Sequence, residues 1–156
     1  MLKTKKLSNK NEKLSSKKCL QDSNNLGKGL EKPETSKKDR LIQILKGFRK
    51  MGDIIGSSII SADGLSIASD LGEEVDEDTF AAMSAAMHGA AETAVSELKQ
   101  GELNQIIIDA DNGKIITISA GEKAILVILA NSDINLGLAL LELGKASGRI
   151  SNVLGG

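Results

Sequence analysis

The sequence predicts an α+β domain whose elements follow in the order helix, strand, strand, helix, strand, strand, strand, helix. Three observations lead to this class. Apolar residues recur at helical spacing in three separate segments, two short strand-like runs flank the turn Ala62-Asp63-Gly64, and three further strand-like runs are separated by short connectors that contain glycine. Such connectors join neighbouring antiparallel strands, so we expect one hairpin and one three-stranded meander.

The first helix is predicted from Lys37 onward, where an apolar stripe of Leu41, Ile44, Leu45 and Phe48 appears at helical spacing. Basic residues occupy the opposite side, which is typical of an amphipathic surface helix. Strand-like runs follow at residues 54–61 and 65–69. Because the glycine between them adopts positive φ at low cost, the two runs are predicted to form a hairpin.

The second helix follows the acidic linker GEEVDED and has the strongest helical pattern in the chain. Apolar residues recur along it at steps of three and four, namely Phe80, Met83, Met87, Ala90, Ala94 and Leu98. Asp76 or Asp78 is expected to cap its start, and Gly101 is expected to end it. The face of Phe80, Met83, Met87 and Leu98 is expected to pack on the sheet, with His88 as a structural residue at its flank.

Three strand-like runs then follow at residues 103–109, 114–120 and 123–130. The last of them, KAILVILA, shows no alternation of apolar and polar residues, which predicts a central strand that is covered on both faces. Ser132 or Asp133 is expected to cap a final helix that contains INLGLALLELGKASGRI.

The composition limits the classes of protein that the chain can form. It has 156 residues with two Phe, no Trp and no Tyr, so aliphatic residues and Met must fill the core of one modest domain. The single cysteine, Cys19, excludes an internal disulfide, and no apolar run approaches the roughly 18 residues that a transmembrane helix needs. We therefore expect a cytoplasmic protein, with peripheral association at a membrane as an open alternative.

The net charge of -1 conceals two oppositely charged segments. Residues 1–38 contain eleven Lys and four acidic residues, a net charge of +7, whereas residues 39–156 contain nine basic and seventeen acidic residues, a net charge of -8. Residues 1–36 are rich in lysine and poor in residues that build a core, so they are predicted to be a basic arm that is disordered or a fraying helix. Residues 37–156 are the predicted folded domain.

Several common catalytic arrangements are absent from the sequence. His88 is the only histidine, so one protomer cannot hold a paired-histidine metal site or a two-histidine mechanism. Cys19 lies among lysines, with no base oriented by a folded segment, and is interpreted as a surface thiol. There is no phosphate-binding loop, and the acidic linker does not match a calcium loop. The sequence thus predicts no catalytic residue, no cofactor and no metal, in a protein that is not an enzyme.

Two sets of residues predict that the protein associates with itself. The second helix carries small residues on more than one face, and Gly89 lowers its helix propensity, which indicates close packing against a second surface. The run from Gln105 to Ile108 belongs to a strand at the end of the meander, where a bare apolar edge would invite aggregation. The predicted dimer interface consists of Ala82, Ala86, Gly89, Thr93, Gln105, Ile106, Ile107 and Ile108.

Several segments of the sequence, taken together in their order and spacing, resemble the Roadblock (dynein light chain) domain family, in its short archaeal or bacterial single-domain type. They are ISADGLSIASD, the Ala-rich helix with the following LKQGELNQIIIDADNGKIITISAGEKAILVILA, and the closing NLGLALLEL. The resemblance covers about residues 39–154. It implies a profilin/longin-like fold, in which a five-stranded antiparallel sheet has the second helix on one face and the terminal helices on the other. It also implies a homodimer, or a heterodimer with a related Roadblock protein, joined through the third strands and second helices.

For function, the resemblance implies a noncatalytic dimeric scaffold or regulator that binds a Ras-like small GTPase and modulates its nucleotide cycle or localisation. It assigns no residues to GTPase binding. An alternative is an adaptor whose basic arm docks on an anionic membrane or on nucleic acid, while the domain supplies dimerisation. An enzyme that uses the acidic linker ranks last, because the chain shows no set of nucleophile, base and orienting group.

Overall fold

A computed structural model describes residues 35–155 of the chain. Cys19 and all but the last two residues of the predicted arm lie outside the described residues. The elements follow in the predicted order: α1 Lys37–Arg49, β1 Ile54–Ser61, β2 Ser66–Asp70, α2 Glu77–Glu97, β3 Gln105–Ala110, β4 Gly113–Ser119, β5 Ala124–Ala130 and α3 Leu136–Leu154.

The five strands form one antiparallel sheet in the order β2-β1-β5-β4-β3. β5 is central and six of its seven residues are buried, as its uniformly apolar sequence predicts. β1 and β2 form the predicted hairpin, and β3, β4 and β5 form the predicted meander. The fold class is therefore confirmed, and β2 and β3 are the two edges of the sheet.

α1 and α3 cover one face of the sheet and enclose the larger of two apolar cores. Its buried members come from every element except α2 and β3. They include the fully buried side chains of Leu41, Leu45, Ile59, Ile116, Leu126, Ile128, Leu143 and Ile150. This α1/α3 side thus contains most of the apolar surface that the domain buries.

α2 covers the other face, over a smaller core of Ile60, Ala81, Ala85, Ile125 and Val127. The prediction that the larger apolar residues of α2 face the sheet is wrong. Met83 and Leu98 are 59% and 69% exposed, and Phe80 and Met87 are only half-buried. The helix instead turns Ala81, Ser84, Ala85 and His88 toward the strands, because small side chains allow a close approach of helix and sheet.

The helix ends follow the predictions in part. Asp76 caps α2 by accepting a hydrogen bond from the backbone N–H of Thr79, as predicted. α3 is capped by Asn135 and not by Ser132 or Asp133, since Ile134 is buried and the helix begins after it. α2 ends at Glu97, before Gly101, and the chain leaves it through Lys99 at a φ of 53°. None of the helices between residues 35 and 155 is long and apolar enough to cross a membrane.

Candidate interaction surface

The outer edge of β3 is the first part of the candidate surface. β3 pairs with β4 on one side, and no other strand of the described residues pairs with its opposite side. Its six residues span roughly 20 Å at about 3.4 Å per residue. An edge of this length presents a row of backbone N–H and C=O groups that can pair with another strand.

The side chains of β3 are apolar on both faces of the sheet. Ile107 lies opposite Ile116 and therefore points to the α1/α3 side, where it is 37% exposed. Ile106 and Ile108 point to the α2 side, where both are half-buried. Gln105, the remaining predicted strand residue, is half-buried as well. The edge therefore combines free backbone groups with apolar side chains that the domain only partly covers.

The predicted interface residues of α2 are all exposed, namely Ala82, Ala86, Gly89 and Thr93. The structure does not place them all beside β3. Ala82 lies against the β1–β2 turn, where a Cβ added to Gly64 would come within 3.2 Å of the Ala82 Cα. Gly89 lines a small cavity at the β4–β5 turn, together with Gly121 and Lys123.

The opposite flank of α2 carries the larger apolar residues. Phe80, Met83 and Met87 follow at steps of three and four and therefore share one flank of the helix. Phe80 packs against the smaller core, as does Ile115, and Ile115 is the register partner of Ile108 in β3. An apolar surface thus extends from this flank of α2 across β4 to β3. The helical spacing alone predicts Phe80, Met83 and Met87 to face the core, so this surface is not evident from the sequence.

A polar contact fixes α2 to the sheet at His88, whose side chain is only 3% exposed. The imidazole Nδ1 lies 3.3 Å from the Thr117 hydroxyl, and Nε2 lies 3.1 Å from the Ser119 hydroxyl. A neutral ring donates one hydrogen bond and accepts the other, and each hydroxyl can take either part. Burial lowers the pKa of His88, and the Glu92 carboxylate, 3.5 Å from Nε2, acts in the opposite direction. His88 is thus a structural residue, as predicted, but it is buried within the packed face and not at its flank.

The acidic linker organises the start of α2. The hydrogen bonds from Thr79 lower the pKa of Asp76, and those from Ser66 and Ser69 lower the pKa of Glu77. Since Ser66 and Ser69 belong to β2, Glu77 ties the first turn of the helix to the edge of the sheet. No group of three or more His, Cys, Asp or Glu side chains that could hold a metal ion occurs within residues 35–155.

These features define a class of small α+β domain, in which a five-stranded antiparallel sheet has one helix on one face, two helices on the other and β3 as an unpaired edge. The chain belongs to the Roadblock/LC7 domain family, whose model matches residues 42–130. The uncharacterized protein MJ0310 of the archaeon Methanocaldococcus jannaschii is 38% identical over 108 residues, which cover 69% of this chain and 94% of that relative. The resemblance inferred from the sequence is therefore confirmed, including its archaeal relatives.

Solved structures show the same fold. The Roadblock/LC7 domain from Streptomyces avermitilis superimposes with a TM-score of 0.69 at 16% identity, covering 74% of this chain and 98% of that domain. MglB of Myxococcus xanthus has a TM-score of 0.70 at 15% identity, covering 80% and 92% of the two chains. An MglB with a tetrameric arrangement has a TM-score of 0.67 at 19% identity, covering 75% and 89%.

Proposed function

We propose that this protein is a noncatalytic dimeric platform that binds a Ras-like small GTPase and modulates its nucleotide cycle or localisation. Membership in the Roadblock/LC7 family supports the proposal, as does the tetrameric arrangement of an MglB with the same fold. The observation that carries it is the unpaired edge of β3. Its half-buried Ile106 and Ile108 point to the face of the sheet that α2 covers, where one flank of that helix is exposed. Catalysis has no part in this function.

The proposed dimer forms when the β3 strands of two copies pair antiparallel about a two-fold axis perpendicular to the sheet. The pairing satisfies the outer backbone groups of both strands and makes a continuous ten-stranded sheet from two five-stranded ones. It also places both α2 helices on the same face. The proposed contacts are Gln105, Ile106, Ile107 and Ile108 of each strand, and Ala82, Ala86, Gly89 and Thr93 on the helices.

The dimer is tested by placing a charge in the middle of the edge. Ile107→Asp should convert the dimer to a monomer in sedimentation velocity, because pairing would place two carboxylates in an apolar strand contact. Ile55→Asp is the matched control. Ile55 is also exposed, but it lies at the bulge between Ile54 and Gly56 of β1, far along the sheet order from β3.

Circular dichroism of each variant separates loss of the dimer from loss of the fold, and Ile107→Thr provides a milder change that keeps a β-branched residue. A folded Ile107→Asp protein that still sediments as a dimer would rule out the edge-strand interface.

On this platform the GTPase is regulated by positioning. A protein that contacts the switch loops changes nucleotide exchange or hydrolysis by favouring one of their arrangements, and it need not donate a catalytic arginine. The test uses a purified Ras-like GTPase encoded in the same genome, with nucleotide release and GTP hydrolysis measured with and without this protein. We expect binding and a change in one of the two rates, and we expect Ile107→Asp to weaken both effects. Absence of binding together with unchanged rates, across the Ras-like GTPases of that genome, would contradict the proposal.

A further inference from the structure

The layer formed by α1 and α3 has a charge opposite to that of the rest of the domain. Residues 37–50 and 136–154 contain eight basic and two acidic residues, a net charge of +6, and all eight basic residues are exposed. The other residues between 35 and 155 contain three basic and fifteen acidic residues, a net charge of -12. In the described part of the chain, only Arg49 and Lys145 of the basic residues in this layer form ion pairs, with Asp70 and Glu142. The α1/α3 layer is therefore a basic face.

Two leucines protrude from the same layer. Leu138 and Leu141, in the first two turns of α3, are 50% and 56% exposed. Lys145 and Arg149 follow along the helix, seven and eleven residues after Leu138, so Leu138 and the two cations lie on one side of it. Leucine side chains that project beside cationic side chains are typical of a helix that lies at a membrane surface.

The furrow between α1 and α3 does not favour a helical peptide as the occupant. It has a volume of about 450 Å³. Its apolar lining consists of Ile44, Phe48, Met51, Leu138 and Ala146, and its polar lining includes Glu142, Lys145 and Arg149. Ile44, Phe48 and Ala146 are already buried and Met51 is half-buried, so among the apolar lining residues only Leu138 offers an incoming helix a largely exposed side chain. The apolar surface that is free to be buried therefore belongs to Leu138, at the border of the furrow, and to Leu141 in the same helix.

We propose that the α1/α3 layer docks on an anionic lipid bilayer. Leu138 and Leu141 enter the boundary between headgroups and acyl chains, and the basic residues of α1 and α3 contact the lipid headgroups. In the sequence, α1 directly follows residues 1–36, which add nine lysines against four acidic residues. α2 lies on the other face of the sheet, so lipid binding leaves the candidate interaction surface accessible. In the proposed dimer, both α1/α3 layers lie on one side, and the two copies bind with avidity.

The test measures flotation of the full chain with vesicles of phosphatidylcholine, with and without phosphatidylglycerol. Wild type should float only with the vesicles that contain phosphatidylglycerol. Lys145→Gln with Arg149→Gln should lower the partition coefficient about 30-fold, since each basic residue near an anionic surface strengthens membrane binding about fivefold. Lys99→Gln with Lys123→Gln removes the same charge outside the layer and should leave it nearly unchanged. Leu138→Ser with Leu141→Ser should weaken binding without changing the net charge.

A further full-length variant, with the nine lysines of residues 1–36 replaced by Gln, separates the layer from the preceding segment. It should retain binding to phosphatidylglycerol vesicles that still depends on Lys145 and Arg149. Binding that is lost in this variant, and is unaffected by the changes at 138, 141, 145 and 149, would overturn the proposal. So would binding to duplex DNA in place of vesicles, because the surface would then recognise nucleic acid. Thermal unfolding of every variant confirms that the fold is retained.

Discussion

The two faces of the sheet are held by different kinds of contact. On the α1/α3 side, apolar side chains from six of the eight helices and strands pack together, and many of them are fully buried. On the α2 side, the core has only two buried alanines and three buried strand residues, with Phe80 and Ile115 packed against it. The hydrogen bonds of His88 add to this packing. Ser84 also lies in this layer, with its hydroxyl buried and without a hydrogen-bond partner in the described residues.

The difference separates the part of the domain that buries most of its apolar area from the part that leaves apolar side chains exposed. Burial of apolar area stabilises the α1/α3 side and does not depend on pH. The α2 side has less apolar area to lose, and its contacts depend on close approach and on the protonation of one ring. This helix leaves Met83 and Leu98 more than half exposed, and Phe80 and Met87 are only half-buried. Such residues are available for association with another chain.

The largest expected loss of stability comes from truncating a side chain in the larger core. Leu143→Ala should lower the free energy of unfolding by about 3 kcal/mol, because Leu143 is fully buried and the change leaves a cavity between α3 and the sheet. Urea unfolding measures the loss. Leu141→Ala makes the same change in the same helix at an exposed position and should have a much smaller effect. Equal losses in the two variants would contradict the division between core and surface on α3.

On the α2 side, a larger side chain should be the destabilising change. Ala81→Leu should cost about 2 kcal/mol, because Ala81 is fully buried against the strands and three added carbons force the helix away from them. Ala90→Leu is the control, since Ala90 lies on the exposed side of α2. If urea unfolding shows the two variants to be equally stable, α2 does not pack closely on the strands at Ala81.

The sequence predicted the sheet well because its signals are local. Apolar runs bounded by glycine turns gave all five strands, and the absence of alternation in KAILVILA placed β5 at the centre of the sheet. β2 begins one residue later than predicted, because Leu65 closes the turn by accepting a hydrogen bond from Ser61. The exposed edge of β3 followed from its place at the end of the meander.

The orientation of α2 could not be predicted from hydropathy alone, because two stripes compete along it at the same helical spacing. The stripe of Phe80, Met83 and Met87 is more hydrophobic than that of Ala81, Ser84, Ala85 and His88, and hydropathy favours the former. The second stripe faces the sheet because the strands carry the matching hydroxyl groups of Thr117 and Ser119, about 30 residues away in sequence. The signal available in the sequence was the spacing of two polar residues, Ser84 and His88, at positions i and i+4, which lie on the same side of a helix.

A smaller effect is expected at the start of α3, on the α1/α3 side. Asn135→Ala should lower the free energy of unfolding by about 1 kcal/mol, because it removes the side-chain acceptor for the Leu138 N–H. Asn152→Ala, an exposed position inside the same helix, serves as the control. Sequence alone left Ser132 and Asp133 as the candidates, so Asp133→Ala should have little effect. A larger loss of stability in Asp133→Ala than in Asn135→Ala would show that Asp133 caps the helix, as the sequence predicted.

The smallest expected effect is a pH dependence that belongs to the α2 side alone. Burial holds the pKa of His88 below its ordinary value of about 6.5, so the unfolded chain takes up a proton at higher pH than the folded one. The stability of the wild type should therefore be level above about pH 7 and should fall as the pH decreases through about 6.5. The lowered pKa values of Asp76 and Glu77 also make acid destabilising, but only below about pH 4.5, where those carboxylates are protonated in the unfolded chain. His88→Gln retains a donor and an acceptor near Thr117 and Ser119 but does not titrate, so its urea midpoint should be the same at about pH 7.5 and about pH 5.5. If wild type and His88→Gln lose stability equally over this interval, the buried imidazole does not couple the packing of α2 to pH.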